Sequence, residues 1–324
     1  MSAITNEKVV LPVEYSRGVI TGILGRSKAL ELGYQLPRMS TKVLKLNVLS
    51  QLPVAGWVAN SATPTDGNTP NGYPKEIRNK PLSVLAWEGK NVTAEAIAVI
   101  VPVSIDTIND TKNFVDIAAL LREQVIGAFQ QVIDETLLFG TNSPWSDFDG
   151  VVPGAVSAGA TVDWDGSAGT SFYEAISKAM EYVENSGYIP DAILGGPSLN
   201  SALRGAITPL GINVAEQGQV GNLYKHISLT GGFDTSSAFA IVGDFKRGLV
   251  YAFREDMEMR LLEEATIDDP ATGEKLYNLA QQDMVAFRFV LRLGAQIPNP
   301  VNRINTTEKR FPFAVITKNE ASGN

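Results

Sequence analysis

The chain contains no cysteine and a single histidine, His226, in 324 residues. Disulfides, thiolate metal centres and cysteine nucleophiles are therefore impossible, and a histidine-rich metal site is excluded too. Basic charge is also in short supply: 27 Lys and Arg face 35 Asp and Glu, a formal charge of −8. That balance argues against a dedicated DNA-binding domain, whose affinity rests on Lys and Arg set against phosphates. No apolar run approaches the ~18–20 residues that span a bilayer. Near the start, Val19-Ile20 and Ile23-Leu24 are separated by Thr21 and Gly22, too short a run for a signal-peptide core. Ala96 to Val103 is short and interrupted by Pro102. A cytosolic or otherwise non-secreted protein is expected. The triplets Asn91-Val92-Thr93 and Asn305-Thr306-Thr307 then carry no glycosylation meaning.

Catalytic fingerprints are missing as well. There is no G-x-x-x-x-G-K-[ST], no G-x-G-x-x-G opening a helix after a strand, and no G-x-S-x-G. Gly22 to Gly25 and Gly231-Gly232 match no phosphate loop, and Ser198 has no base other than His226. Carboxylates are plentiful between 255 and 274, where Glu255, Asp256, Glu258, Glu263, Glu264, Asp268, Asp269 and Glu274 surround the single cation Arg260. A carboxylate-dependent enzyme or a divalent-cation site is the enzymatic alternative. The spacing fits no EF-hand, however, and residues 268–273 (DDPATG) read as an acidic turn on a solvated face. Arg288 and Arg292 share a strand face without an aromatic-basic stripe, so nucleic-acid readout is unsupported. Neither a catalytic residue, a cofactor nor a metal site is expected.

At 324 residues the chain exceeds the size at which one core stops growing, and two domains are the default. Residues 1–103 hold 11 Lys/Arg and 7 Asp/Glu, a net +4, while 104–324 hold 16 and 28, a net −12. This asymmetry reads either as a solvated surface with chance charge imbalance or as a front part that lies across the acidic part of a neighbouring copy.

Residues 1–12 read as an arm, and 14–32 as a helix weakened by Gly18, Gly22 and Gly25. Residues 42–49 and 53–59 read as strands. Between 60 and 81, four prolines, two glycines and four asparagines leave almost no large apolar residue. Turn chemistry of that density, flanked by segments carrying Trp57 and Trp87, suggests a two-stranded finger with a polar tip. An isolated hairpin is marginal in water, so such a finger needs another surface to lie on. A third apolar strand covers 92–103. The strongest signal follows: Phe114, Ile117, Leu121, Val125, Phe129, Ile133 and Leu137 recur at helical spacing. The spacing predicts a helix over 114–139, about 39 Å long, capped by Asn113 and ended by Gly140.

Residues 141–170 read as loop, with a domain boundary inside them. A helix after Ser171 shows a capping box with Glu174. Strands are expected at 188–194, 238–243, 248–253, 257–262, 284–297 and 313–317, with a short helix at 198–204 behind Pro197. Strands and helices without βα alternation indicate an α+β fold.

Several local phrases in order resemble the major capsid proteins of tailed double-stranded DNA bacteriophages, the HK97-like fold family. These are Trp57-Val58 before the finger, Val103-Ser104-Ile105 before the long helix, and its ending Asp134-Glu135-Thr136-Leu137-Leu138-Phe139-Gly140. To them add Ala192-Ile193-Leu194-Gly195-Gly196-Pro197-Ser198 and Phe287-Arg288-Phe289 followed by Ile297-Pro298.

The resemblance implies an N-terminal arm (1–35), a peripheral-domain strand (36–52), an extended loop (53–92) and a peripheral domain (93–164) with a spine helix at 114–139. It implies an axial domain at 165–283 and a return to the peripheral domain at 284–324. The implied function is a structural protein, not an enzyme, that self-assembles into hexamers and pentamers of an icosahedral shell around double-stranded DNA. An encapsulin-type nanocompartment shell is the alternative on the same fold. Partners implied are further copies of the chain, a separate scaffolding protein, a portal, cement proteins and weakly held DNA, with no membrane. The location implied is the virion, assembled in host cytoplasm. Trp57, Lys75, Arg78, Lys80 and Trp87 are the expected inter-subunit contacts. Some members of the family crosslink a Lys of the extended loop to an Asn of a neighbour; Lys75, Lys80 or Lys90 and Asn299, Asn302 or Asn305 are the residues available for it, and no local motif fixes them.

Overall fold

A computed structural model describes residues 27–55, 83–111, 117–167, 169–212, 219–269, 271–307 and 309–318. In chain order the first half contains α1 (Lys28–Leu32), β1 (Tyr34–Gln35), β2 (Val43–Gln51), β3 (Ala86–Thr93), β4 (Glu95–Ser104), α2 (Ile105–Thr111), α3 (Ile117–Phe139), α4 (Val151–Ala158) and β5 (Thr161–Trp164). The second half contains α5 (Thr170–Asn185), β6 (Ala192–Gly195), α6 (Ser198–Gly205), β7 (Gln219–Val220), β8 (Leu223–Ile227), β9 (Ala240–Gly243), α7 (Phe245–Gly248), β10 (Val250–Leu262), β11 (Thr266–Asp268), β12 (Lys275–Asn278), β13 (Met284–Gln296) and β14 (Phe313–Lys318).

Strand alternation explains the first sheet. In β13, Phe289, Leu291 and Leu293 are buried while Arg288 is exposed, the pattern of a strand wet on one face. It pairs antiparallel with β10 (Phe289 opposite Met259) and with β4 (Phe289 opposite Val99), giving the order β1-β10-β13-β4. Pro102 fits β4 because β4 is an edge, where a missing N–H breaks no ladder. The second sheet has the order β5-β14-β9-β6-β8-β7. Its central strands β6, β9 and the first four residues of β14 are wholly buried, as short continuous apolar runs demand.

Helix α3 joins the two sheets in one core. Val125, Phe129, Ile133 and Leu137, four residues apart, are buried in the cluster that also holds Phe289, Leu291, Ile241 and Val315. Its 23 residues span about 34 Å. It ends at Gly140, in the left-handed region at φ +69°, whose N–H bonds the Thr136 carbonyl at 3.0 Å. A side chain there would meet the Asp149 carbonyl oxygen at 1.9 Å, and one on Gly150 would meet the Gly140 amide nitrogen at 2.5 Å. Only two glycines allow this backbone crossing.

Several expectations need correction. The segment 141–170 is not all loop: α4 and β5 lie within it. Pro153 falls in the first turn of α4, where its missing N–H would have had no partner. The Ser171 capping box does not form; α5 starts at Thr170 behind Gly169, and the Ser171 hydroxyl donates to Asp165 Oδ1 at 2.8 Å. The strands expected at 248–253 and 257–262 are one strand, β10, whose register slips between Phe253 and Glu258, as bulges do. The strand over 188–194 is confined to β6. Residues 14–26, 56–59 and 113 lie outside the described residues.

The linear boundaries at 165 and 284 do not coincide with changes of sheet. β5 and β14 share the six-stranded sheet, with Val315 opposite both Thr161 and Ile241, because the fully apolar start of β14 fits only a central position. β10, within 165–283, runs into the four-stranded sheet instead.

Candidate assembly surfaces

With no reactive constellation in the sequence, the surfaces that can act on other molecules are the ones to build. The first is the packing of α1 on α3. The apolar spacing of α3 turns Gln130 and Asp134 inward with their apolar neighbours, and Asp134 is wholly buried. Its Oδ1 accepts from Ser27 Oγ at 2.7 Å and from the Ala29 N–H at 3.1 Å. Its Oδ2 accepts from Thr230 Oγ1 at 2.8 Å and from the Lys28 N–H at 3.4 Å. One carboxylate thus holds the start of α1 and the loop after β8 against the long helix, placed where a helix N-terminus favours negative charge. Burial raises its pKa above the usual carboxylate range, and the four hydrogen bonds oppose that rise.

The second surface is the hairpin stem. β2 and β3 pair antiparallel, Leu46 opposite Lys90 and Leu49 opposite Trp87, as a two-stranded sheet of their own. Val92 and Val48 are buried on one face of the stem, Val48 directly opposite Glu88 and beside the Leu49–Trp87 pair. Val54, Val84, Leu85 and Trp87 are exposed, Trp87 at 61%. There the Val54 N–H donates to Ser83 Oγ at 2.7 Å, closing the stem mouth. Trp87 is thus the one expected contact residue that lies among the described residues, and it stands uncovered. Trp57, Lys75, Arg78 and Lys80 lie outside them.

An open cavity of about 760 Å³ lies where the stem meets the body. Its wall is mostly apolar, with Leu36, Leu46, Val48, Val250, Pro298 and Pro300, and Lys246 and Arg247 stand at its side. The loop from 297 to 311 closes one flank and is held by Arg310. That guanidinium donates to the carbonyls of Pro300 (3.1 Å), Thr307 (2.6 Å) and Asn299 (3.0 Å). Asn299, at φ +46°, donates to the Arg310 carbonyl and accepts from the Tyr188 hydroxyl. Burial pushes the Tyr188 phenol up to about 12.

The three asparagines make hydrogen bonds within the subunit: beside Asn299, Asn302 donates to the Ser186 carbonyl, and Asn305 Oδ1 accepts from the Thr307 hydroxyl. Lys90 donates to the Ile297 carbonyl at 3.2 Å, and burial lowers its pKa. Leu46 carries no signal of a role in the sequence; Asp134 and Pro298 stand there only inside the phrases that carry the resemblance, and an acid at an inward helical position is the mark by which Asp134 could be found.

Among the described residues no three His, Cys, Asp or Glu side chains gather to hold a metal ion. Glu258 pairs with Arg260, and Asp269 Oδ1 accepts from the Ala271 N–H in an exposed turn. Burial lowers the His226 pKa, opposed by Glu31. No helix among the described residues is long and apolar enough to cross a membrane.

The comparisons agree with this picture. The model of the phage capsid family matches residues 7–304. A solved chain of Microbacterium phage Oxtober96 is 32% identical, with 90% of this chain and 91% of that chain covered at a TM-score of 0.73. One of Mycobacterium phage Cain is 27% identical, with 92% of each covered at 0.74. A structure titled as the capsid of a native GTA particle, 13% identical over 98% of this chain and 93% of that one at a TM-score of 0.53, shares the fold. No curated protein matches. A family model spanning most of the chain, and a shared architecture at 32% identity, establish that this chain belongs to the phage capsid family, as a structural shell protein and not an enzyme.

Proposed function

We propose that the chain forms hexamers and pentamers of an icosahedral shell that encloses double-stranded DNA in a virion assembled in the host cytoplasm. The observation that carries this reading is the family match over residues 7–304, joined to a stem that exposes Val54, Val84, Leu85 and Trp87 among the described residues. Within the subunit, residues 1–35 act as the arm, 53–92 as the extended loop and the body around α3 as the peripheral domain. The segment 165–283 supplies the axial part, with β10 reaching back beside β13. Lys75, Arg78 and Lys80 bring positive charge to the loop, and the net −12 of residues 104–324 gives a neighbour to receive it. A scaffolding protein, a portal and cement proteins complete the assembly, and DNA is held weakly by an acidic shell.

Negative-stain microscopy of the purified protein tests this directly. Closed particles of megadalton mass are expected, and a small soluble oligomer would overturn the reading. Particles from infected cells should protect DNA from nuclease. Protein cargo in place of DNA would instead identify a nanocompartment.

A further inference from the structure

The two oxygens of the buried Asp134 carboxylate answer to different parts of the chain. Oδ1 takes the Ser27 hydroxyl and the Ala29 N–H, both at the start of α1. Oδ2 takes the Thr230 hydroxyl at 2.8 Å, and its other donor, the Lys28 N–H, stands off at 3.4 Å. All four donors are neutral, and the Lys28 ammonium pairs with Glu31 instead.

Thr230 lies in the loop between β8 and β9. A hydroxyl has one proton, and Thr230 gives its own to Asp134, so in the 3.1 Å contact with Ser228 it is the Ser228 hydroxyl that donates. The Ser228 N–H bonds the Gly195 carbonyl, at the end of β6, at 2.9 Å. Beyond Thr230 the loop backbone lies directly on α3: a side chain at Gly232 would meet the Gln131 carbonyl oxygen at 2.6 Å and the Asp134 Cβ at 3.2 Å. Phe233 then sets its ring edge-on against Phe139, 5.2 Å away. On the other side Ser27 also gives its proton to Asp134 while accepting from the Leu30 N–H, and Ser27, Ala29 and Leu30 are buried. An open cavity of about 650 Å³ is lined by Lys28, Gln131 and Thr230 together, so apolar packing is incomplete where the two segments approach and the carboxylate bridges them.

Such a bridge is poorly served by half its donors. Without Thr230, Oδ2 keeps only the long Lys28 contact, and a buried carboxylate in that state must turn or draw in water. Either movement takes Oδ1 off Ser27 and Ala29. We propose that Asp134 is a conformational coupler, through which the 228–233 loop and the start of α1 dock and release together. The effect runs equally in both directions, because a coupling free energy is reciprocal. Every group in it belongs to one copy, so it stands independently of the capsid reading; on that reading it carries a displacement of the axial segment to the arm.

Hydrogen exchange of the full-length protein, read by mass spectrometry, tests the coupling. Thr230→Val removes the loop's hydroxyl and keeps its bulk. Peptides covering 27–33 should then exchange about tenfold faster or more, with β13 unchanged. Thr230→Ser, which retains the hydroxyl, should leave 27–33 at the original rate. Ser27→Ala should in return speed exchange over 228–233 by a comparable factor. Loosening of 228–233 in Thr230→Val with 27–33 unmoved would overturn the proposal, and so would an equal rise in β13, the sign of a general loss of stability. Should a variant not fold, the unmodified protein decides. In rising urea the amides of Ala29 and Gly232 should open with one free energy and one urea dependence, as a single cooperative unit; two separate openings refute the coupling.

Discussion

The Ser27 hydroxyl reaches Asp134 across 107 residues of sequence and donates to it at 2.7 Å, fixing the start of α1 against the long helix. Ser27 also caps α1, its Oγ accepting from the Leu30 N–H at 3.4 Å, so one hydroxyl serves two elements. Asp134→Ala strands four donors in a buried site and should cost about 3 kcal/mol. Ser27→Ala, which removes one donor and the cap, should cost about 1 kcal/mol. Urea unfolding of unassembled subunits measures both; equal losses would show that Asp134 is not the hub.

Burial raises the Asp134 pKa in the folded subunit above its unfolded value. A group shifted that way contributes stability below its unfolded pKa and loses it as pH rises through the folded one. The stability of the unmodified protein, taken relative to Asp134→Asn, should therefore decline as pH rises from below the ordinary carboxylate pKa of about 4 through the raised folded-state value. Denaturant titrations of the pair across that range provide the check, and a difference that grows with pH would mean the hydrogen bonds outweigh burial.

Gly140 admits no side chain. Its φ of +69° and the Asp149 carbonyl oxygen, 1.9 Å from where a Cβ would sit, penalise alanine twice. Gly140→Ala should lose at least about 2 kcal/mol, read as a lowered thermal midpoint. Gly159→Ala, at φ +77° with open space around it, should lose only about 1 kcal/mol, which isolates the steric share.

Arg310 ties three carbonyls of the 299–307 loop to its own guanidinium. A lysine keeps the charge but not the fork. Arg310→Lys should open the loop to proteolysis between 299 and 309 while the sheets stay intact, and cleavage sites mapped by mass spectrometry will show whether protection is lost there.

The long helix was legible because its apolar residues repeat at 3.6-residue spacing whatever surrounds them, and β13 because Phe and Leu alternate with Arg. α4 was hidden by Pro153 and Gly154, which read as breakers. Pro153 costs little in a first turn, and Gly154 stands where any side chain would meet the Phe311 ring at 2.4 Å, a contact that sequence does not display. β10 read as two strands because its bulges break the alternation. Of the assembly surfaces, Trp87 was visible as an aromatic beside a turn-rich segment. The cavity was not, since Leu46, Val250 and Pro298 come from three distant stretches that meet only once folded.

Strand β14 sits between β5 and β9, opposite residues some 154 and 74 positions earlier in the chain, as the pairs Val315–Thr161 and Val315–Ile241 show. Pairings over such separations form slowly. Until β14 arrives, β5 and β9 each offer a bare apolar margin on which another unfinished chain can template. Production of this subunit is therefore a race between an intramolecular closure of fixed speed and encounters that quicken with concentration, and slower expression at lower temperature should favour the soluble form.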